Sequence, residues 1–182
     1  MKESPVLISK LDSARRQLET AIKLFFANGD FVSIHVLSYA AYTITRNLCD
    51  QTRNPESFTK WMHDNVSKAQ HDEFTKHVTE AGNFFKHADR DPKAILEYVP
   101  DQYEIFILFA VKQYEAITHE LTQPMSVFKV WYLMHHPESI IKSGARKQPS
   151  ESELKRFLEM DKGEFYERVS KGLLLAQRKI LE

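Results

Sequence analysis

The chain has 182 residues and only 5 glycines, where average usage of about 7% gives roughly 13. Glycine supplies the tight turns of hairpins, barrels and dinucleotide-binding folds, so these fold classes are excluded. No glycine-rich phosphate loop or nucleophile elbow is present. Lysine plus arginine and aspartate plus glutamate each number 25. This zero net charge excludes broad, non-specific binding to nucleic acid or to an anionic membrane.

The first two helices are predicted to form a hairpin. Ser4-Pro5 is a helix-start pattern, and apolar residues then recur at spacings of three and four up to Phe25. Asn28-Gly29 predicts the end of the first helix, and Asp30 is placed to cap the second, over residues 31–51.

The central part of the chain predicts two further long helices. A short helix follows Asn54-Pro55, and the pattern of Ser67 with Gln70 is a capping box for a third long helix. Phe74, Val78, Ala81, Phe85 and Ala88 form the apolar face of that helix. The fourth runs from about residue 100 to 121, and the apolar stretch 105–111 makes it the most enclosed.

The C-terminal part predicts an appended unit. Pro124 begins an apolar helix that ends at His135-His136-Pro137. Residues 139–150 have linker composition, and two helices follow over 151–160 and 162–180. We therefore predict a helical bundle domain at 1–138, a linker at 139–150 and a C-terminal extension at 151–182. Residues 142–182 carry 10 basic and 7 acidic side chains, so this extension is expected to pack on the bundle or on a protein partner.

Short links between long helices predict an all-α, up-down antiparallel bundle. In that arrangement the second helix begins where the third ends, at one pole of the bundle. The pole collects polar side chains that could bind a ligand: Asp30, Ser33, His35, Asn83, Lys86, His87, Asp89, Arg90, Asp91 and Asp101. His87 with Asp89 is the candidate catalytic pair, since a carboxylate can orient an imidazole. Lys86 and Arg90 could hold a phosphate or carboxylate, although basic residues also suit a helix C-terminus.

Two other patterns are open to more than one interpretation. His35, Tyr39, Tyr42 and Arg46 form a stripe beside the apolar face of the second helix, which indicates a dimer face or, alternatively, a ligand cleft. Gly82 lies inside the third helix, where helix propensity does not favour it. Close approach of another backbone or of a ligand is the expected reason.

Carboxylate–histidine pairs raise the alternative of a metal site. Glu73 with His77, and Glu115 with His119, are four residues apart, and carboxylate–histidine sets on facing helices hold metal in di-iron bundles. Those bundles use a spacing of three and further inward glutamates, which this chain lacks. We therefore predict no metal ligands and no cofactor. The single cysteine, Cys49, cannot form an internal disulfide and is predicted to be a packed thiol.

Two segments carry a family resemblance. The stretch RRQLETAIKLFFANGDFVSIHVLSYAAY at 15–42 and the stretch AGNFFKHADRDP at 81–92, together with HHPE, resemble a group of bacterial cytoplasmic all-helical proteins whose activity is not characterised. The resemblance covers about residues 10–138. It implies a cytoplasmic location, and it implies no particular activity for this chain.

A more distant resemblance is to HEPN-type helical bundles, which often dimerise. Members with ribonuclease activity carry an arginine that is separated from a histidine by four to six intervening residues. His87 matches the histidine, but the arginine positions hold Glu80, Ala81 and Gly82. The resemblance therefore implies a binding role or a role of the toxin–antitoxin type, without catalysis.

The sequence thus favours a cytoplasmic binding or interaction module, expected to be a homodimer with a polar site at one pole. No apolar run approaches the ~20 residues that span a bilayer, and no signal peptide is expected. An enzyme acting on a phosphate-containing substrate through His87, or a ribonuclease of the HEPN type, is the alternative. A metal-binding bundle is the second alternative, and nucleic-acid binding stays open.

Overall fold

The computed structural model describes residues 4–87, 89, 91–136 and 150–181. All regular elements in these ranges are helical, as the low glycine content predicts, and no strand occurs among them. The α-helices are α1 (Lys10–Phe26), α2 (Phe31–Gln51), α3 (Phe58–Asn65), α4 (His71–Phe84), α5 (Tyr103–Thr118), α6 (Gln123–His135), α7 (Glu151–Leu158) and α8 (Lys162–Leu181).

Helix α2 lies at the centre of the fold and has its main contacts with α1 on one side and α5 on the other. Helix α6 packs on α1 and α5, and the C-terminal helices α7 and α8 pack on α6. The all-α class is confirmed. The predicted up-down bundle of four long helices is not confirmed, because α4 packs only sparsely on α2 and lies at the margin of the core.

The first helix starts later than predicted. Its N-cap is Ser9, whose hydroxyl accepts a hydrogen bond from the Asp12 backbone N–H at 3.0 Å. Ser4-Pro5 lies in a non-helical segment, and Leu7 is 97% exposed. The helix begins at the capping side chain that is in register with its buried face at Ala14 and Leu18. That side chain is Ser9.

The predicted hairpin between α1 and α2 is present. Asn28 adopts the left-handed conformation with φ 50°, and the Gly29 N–H bonds to the Leu24 carbonyl at 2.8 Å. Asp30 caps α2 by accepting from the Ser33 N–H at 2.8 Å. Helix α2 has the predicted bounds.

The predicted capping box at Ser67 is wrong. The Ser67 hydroxyl bonds to the side chain of Gln70 at 2.5 Å and caps no backbone N–H. A single 3₁₀ turn results, and α4 begins only at His71. Since α4 ends at Phe84, Phe85 lies just beyond the helix; Ala88 is outside the described residues.

Aromatic packing joins the helices into one core. The Phe25 ring contacts Tyr103, Phe128 and Trp131 with centroids 6.0, 5.5 and 4.7 Å away. Such edge-on contacts add to the free energy of burial. The Phe165 ring of α8 stacks on Phe26 at 6.1 Å, so the C-terminal helices belong to the same body.

Buried polar contacts fix α3 against the core. The fully buried Gln113 accepts from the Phe58 N–H at 3.2 Å and donates to the Phe109 carbonyl at 3.0 Å. Cys49 is buried beside it, with its sulfur 3.8 Å from the Gln113 carbonyl oxygen. The predicted packed thiol is confirmed, and burial raises its pKa to about 11.

The C-terminal extension has the two predicted helices. The carboxylate of Asp161 caps α8 by accepting from the Gly163 N–H at 2.8 Å. Residues 139–149 of the predicted linker lie outside the described residues, so the linker and the domain division stay predictions. No helix in the described ranges is long and apolar enough to cross a membrane.

Candidate functional site

The pole where α2 begins and α4 ends brings several predicted residues together around His35. The His35 ring packs edge-on against Phe85, which follows α4, and Phe106 of α5, with centroids 5.3 and 5.1 Å away. Its Nδ1 and the hydroxyl of Tyr98 are hydrogen-bonded at 2.9 Å. Tyr98 also stacks on Phe31 at 5.6 Å. The segment that leads from α4 to α5 is thus fastened to α2.

His35 itself is fully buried. Burial, with a smaller contribution from the charge of Lys86, lowers the pKa of the imidazole to about 4. The ring is therefore neutral at physiological pH, and its Nε2 has no hydrogen-bond partner. A ligand in solution does not reach His35, because Phe85 and Tyr98 cover the ring. The predicted direct contact between His35 and a ligand therefore requires these two side chains to move.

The stripe predicted as a dimer face or ligand cleft lies mostly inside the protein. Tyr39 and Tyr42 are 7% and 1% exposed, because Phe106 of α5 packs on both rings at 5.2 and 5.3 Å. Only Arg46 at the end of the stripe approaches solvent, with its guanidinium 5.5 Å from the Tyr42 ring. The two tyrosines therefore cannot form the predicted surface.

Gly82 explains how α4 packs against this stripe. A Cβ atom at Gly82 would lie 2.6 Å from two carbons of the Tyr39 ring. The close neighbour is thus an aromatic side chain, where another backbone or a ligand was expected. The ammonium group of Lys86 lies 4.7 Å over the same ring, so Lys86 covers Tyr39 from the solvent side in a cation–π contact.

Four of the predicted pole residues line an open cleft of about 640 Å³ between α4 and the segment that follows it. Asn83, His87, Asp89 and Asp91 belong to this cleft. His87 Nδ1 and Asp89 Oδ1 are 3.9 Å apart, and both side chains are mostly exposed. This distance exceeds a hydrogen bond, so the carboxylate does not orient the imidazole as a catalytic pair requires.

The cleft beside His87 is acidic. Glu80, Asp89 and Asp91 line it, and Lys76 is the one Lys or Arg among its described lining residues. Ala94, Ile95 and Leu96 supply its apolar wall. Lys86 lies outside the lining, and Arg90 is outside the described residues. Because carboxylates outnumber the cation, the lining favours a positively charged ligand over the predicted phosphate-containing ligand.

A second cleft adjoins the first on the same helix. It has a volume of about 560 Å³ and is lined by Glu73, Phe74 and His77 of α4, with Asn65, Val66 and Gln70 at the end of α3 and beyond. Lys76 and Glu80 line both clefts. The sequence reasoning treated Glu73 and His77 only as an alternative metal pair.

The structure does not assemble the alternative metal site. Glu115 forms an ion pair with Lys129 at 2.6 Å, while His119 ends α5 in the left-handed conformation with φ 60°. In the described part of the chain, no three His, Cys, Asp or Glu side chains lie in a group that could hold a metal ion.

Sequence reasoning missed a buried charge cluster around Glu104, near the start of α5. The Glu104 side chain is 15% exposed, and its Oε2 lies 3.9 Å from His136 Nε2. Burial raises the pKa of Glu104 to about 7, against the opposing charge of Lys162. The ammonium group of Lys162, at the start of α8, lies 3.8 Å over the Phe25 ring. The only sequence signal was a carboxylate immediately before the apolar run 105–111.

The fold and the clefts define an all-α protein with an acidic, open face along α4. Comparison of the chain with protein-family models, with curated proteins and with solved structures gave no match. The resemblances to bacterial cytoplasmic all-helical proteins and to HEPN-type bundles therefore stay hypotheses.

Proposed function

We propose that this protein is a cytoplasmic binding module whose site is the cleft beside Asn83, His87 and Asp89. The observation that carries the proposal is the open volume of about 640 Å³ at the end of α4. Ligand sites in proteins are concave, with volumes of about 300–1,000 Å³ and a mixed apolar and polar lining. This cleft has the required size, an apolar wall at Ile95 and Leu96, and polar groups opposite that wall.

Binding without catalysis is favoured over the phosphate-substrate and ribonuclease alternatives. The His87 and Asp89 side chains are 61% and 73% exposed, and general acid–base catalysis depends on a positioned, usually shielded pair. The three carboxylates of the cleft also oppose a phosphate group.

A variant that fills the cleft tests the proposal. Ala94 lines the cleft and is exposed, so Ala94→Trp is expected to occupy it without disturbing the core. We expect ligands from a metabolite and peptide screen that raise the melting temperature of the wild-type protein to lose this effect in Ala94→Trp.

Ala176→Trp is the matched control, because Ala176 is also exposed but lies on α8, outside the cleft. It is expected to respond to ligands as the wild type does. Ligands that stabilise Ala94→Trp as strongly as the wild type would show that binding occurs elsewhere, and the proposed site would be wrong.

The proposed module is a homodimer. Val6, Leu7 and Ile8 precede α1 and are 73%, 97% and 55% exposed, and adjacent exposed apolar side chains are typical of association surfaces. Light scattering after size-exclusion chromatography is expected to give twice the chain mass of 21.3 kDa, and Leu7→Glu is expected to return the protein to that mass. A wild-type monomer would contradict this part.

The C-terminal helices offer a second surface for the proposed protein partner. Leu158 of α7 and Leu174 and Leu175 of α8 are 44%, 50% and 59% exposed. The first turns of α8 pack on α1 through Phe165 and Tyr166. The later turns therefore present leucines that the described part of the chain does not cover.

A further inference from the structure

The two clefts beside α4 adjoin one another, and together they are here called the α4 groove. They share Lys76 and Glu80, and the part of their lining on α4 extends from Glu73 to Phe84. At 1.5 Å per residue this distance is about 16 Å. The combined lining is therefore longer than either cleft alone.

The length of the α4 groove suits a peptide. An extended chain advances about 3.3 Å per residue, so about five residues span the part of the groove that lies along α4. Apolar side chains occur at intervals along it, with Val66 and Phe74 in one cleft and Phe84, Ile95 and Leu96 in the other. Ile95 is 96% exposed, and it could gain substantial burial from a bound partner.

The charge of the α4 groove selects the kind of peptide. Four carboxylates line it, from Glu73, Glu80, Asp89 and Asp91, and Lys76 is the single Lys or Arg in the described lining. Among the described residues, none of these carboxylates forms an ion pair with a lysine or arginine within 4.0 Å. Carboxylates in such a lining attract a cationic partner and repel the phosphates of nucleic acid.

We propose that the α4 groove binds a positively charged peptide segment of a partner protein. This inference rests on the proposed binding function and names the partner of the same face. Lysine or arginine side chains of the segment pair with Glu73, Glu80 and Asp91, while its apolar side chains lie against Phe74, Phe84 and Ile95. The exposed carboxylates set the association rate and the specificity, and the apolar contacts slow dissociation.

Three fluorescein-labelled peptides test the charge selection. Each has nine residues, with three Leu, three Ser and three variable positions that hold Lys, Gln or Glu. Fluorescence anisotropy at 50 mM salt is expected to give the Lys peptide a Kd at least about tenfold below that of the Glu peptide. Its affinity is expected to fall at 300 mM salt, where screening is stronger.

Charge reversal tests whether the groove is the site. Glu80→Lys/Asp91→Lys is expected to weaken binding of the Lys peptide at least about tenfold. Glu56→Lys/Glu120→Lys is the matched control, because both residues are exposed, lie outside the groove and change the net charge equally. The control is expected to change the Kd less than about threefold, and circular dichroism checks that both variants fold.

The outcomes separate this inference from the proposed function. Equal loss of Lys-peptide binding in both double variants would show non-specific attraction and overturn the inference. Tighter binding of the Glu peptide, or of a labelled single-stranded RNA, than of the Lys peptide would also overturn it. If the Glu peptide binds and Ala94→Trp prevents it, the inference fails and the proposed binding site stands. If the Lys peptide binds Ala94→Trp and the wild type equally, the cleft is not used and both fail.

Discussion

Gly82→Ala is expected to destabilise the protein by about 1–3 kcal/mol, the usual range for overpacking, although alanine favours helices by about 1 kcal/mol over glycine. The new Cβ would lie 2.6 Å from the Tyr39 ring. That ring cannot move aside freely, because it is packed against Phe106 at 5.2 Å and Tyr42 at 6.0 Å. Helix α4 must therefore shift away from α2. Urea unfolding followed by circular dichroism measures the loss.

Gly172→Ala is the matched control for this prediction. Gly172 also lies in a helix, α8, but a Cβ there meets no atom within 4 Å. The substitution is expected to leave stability unchanged or to raise it by up to about 1 kcal/mol. In a Tyr39→Ala background, Gly82→Ala is expected to lose its cost, as a double-mutant cycle reports. If Gly82→Ala stabilises the protein as Gly172→Ala does, the close approach to Tyr39 is wrong.

Glu104→Gln is expected to stabilise the protein at pH 8 and to have little effect near pH 4. In the folded chain, burial raises the pKa of Glu104 to about 7, whereas an unfolded chain ionises Glu near pH 4.3. The wild type therefore loses stability as pH rises through this interval, because the unfolded state releases its proton first. Glutamine has no proton to release.

The expected gain in the free energy of unfolding at pH 8 is about 1–3 kcal/mol. One unit of pKa shift equals about 1.4 kcal/mol, and the partial contact of Glu104 with solvent lowers the total. Urea unfolding at pH 5, 6, 7 and 8 measures it. Glu97→Gln is the control, because Glu97 is exposed, and it is expected to leave the pH profile unchanged. Destabilisation by Glu104→Gln at pH 8 would show that attraction to Lys162 outweighs burial.

The Glu104 cluster also bears on how the C-terminal helices are held. Lys162 begins α8 and lies over the Phe25 ring of α1, with the Trp131 ring of α6 at 5.6 Å. Burial lowers the pKa of Lys162. Desolvation therefore costs free energy for both charged groups at this junction, Glu104 and Lys162. Aromatic packing of Phe165 and Tyr166 on Phe26 holds α8 without such a cost.

Sequence reasoning located most helix ends where a side chain caps the adjacent backbone. Asp30 caps α2 as its pattern predicts, and Asp161 caps α8, whose predicted start is residue 162. It was wrong at Ser67, where the hydroxyl bonds to the side chain of Gln70. It was also wrong at Ser4-Pro5, because Ser9 matches the same pattern closer to the first buried residues.

The sequence by itself determined the all-helical class, the hairpin at Asn28-Gly29 and the segment around Gly82 that packs unusually closely. These features depend on local propensity, on capping and on the spacing of apolar residues along one helix. Periodicity reports which residues share a face of a helix, and it does not report what covers that face.

Only the tertiary structure decided which polar residues stay in contact with water. Packing of α5 on α2 buried Tyr39 and Tyr42, whereas Asn83, His87 and Asp89 remained on the open α4 groove. The physical reason is that burial, and with it the cost of a charge such as that of Glu104, depends on neighbours from distant parts of the chain.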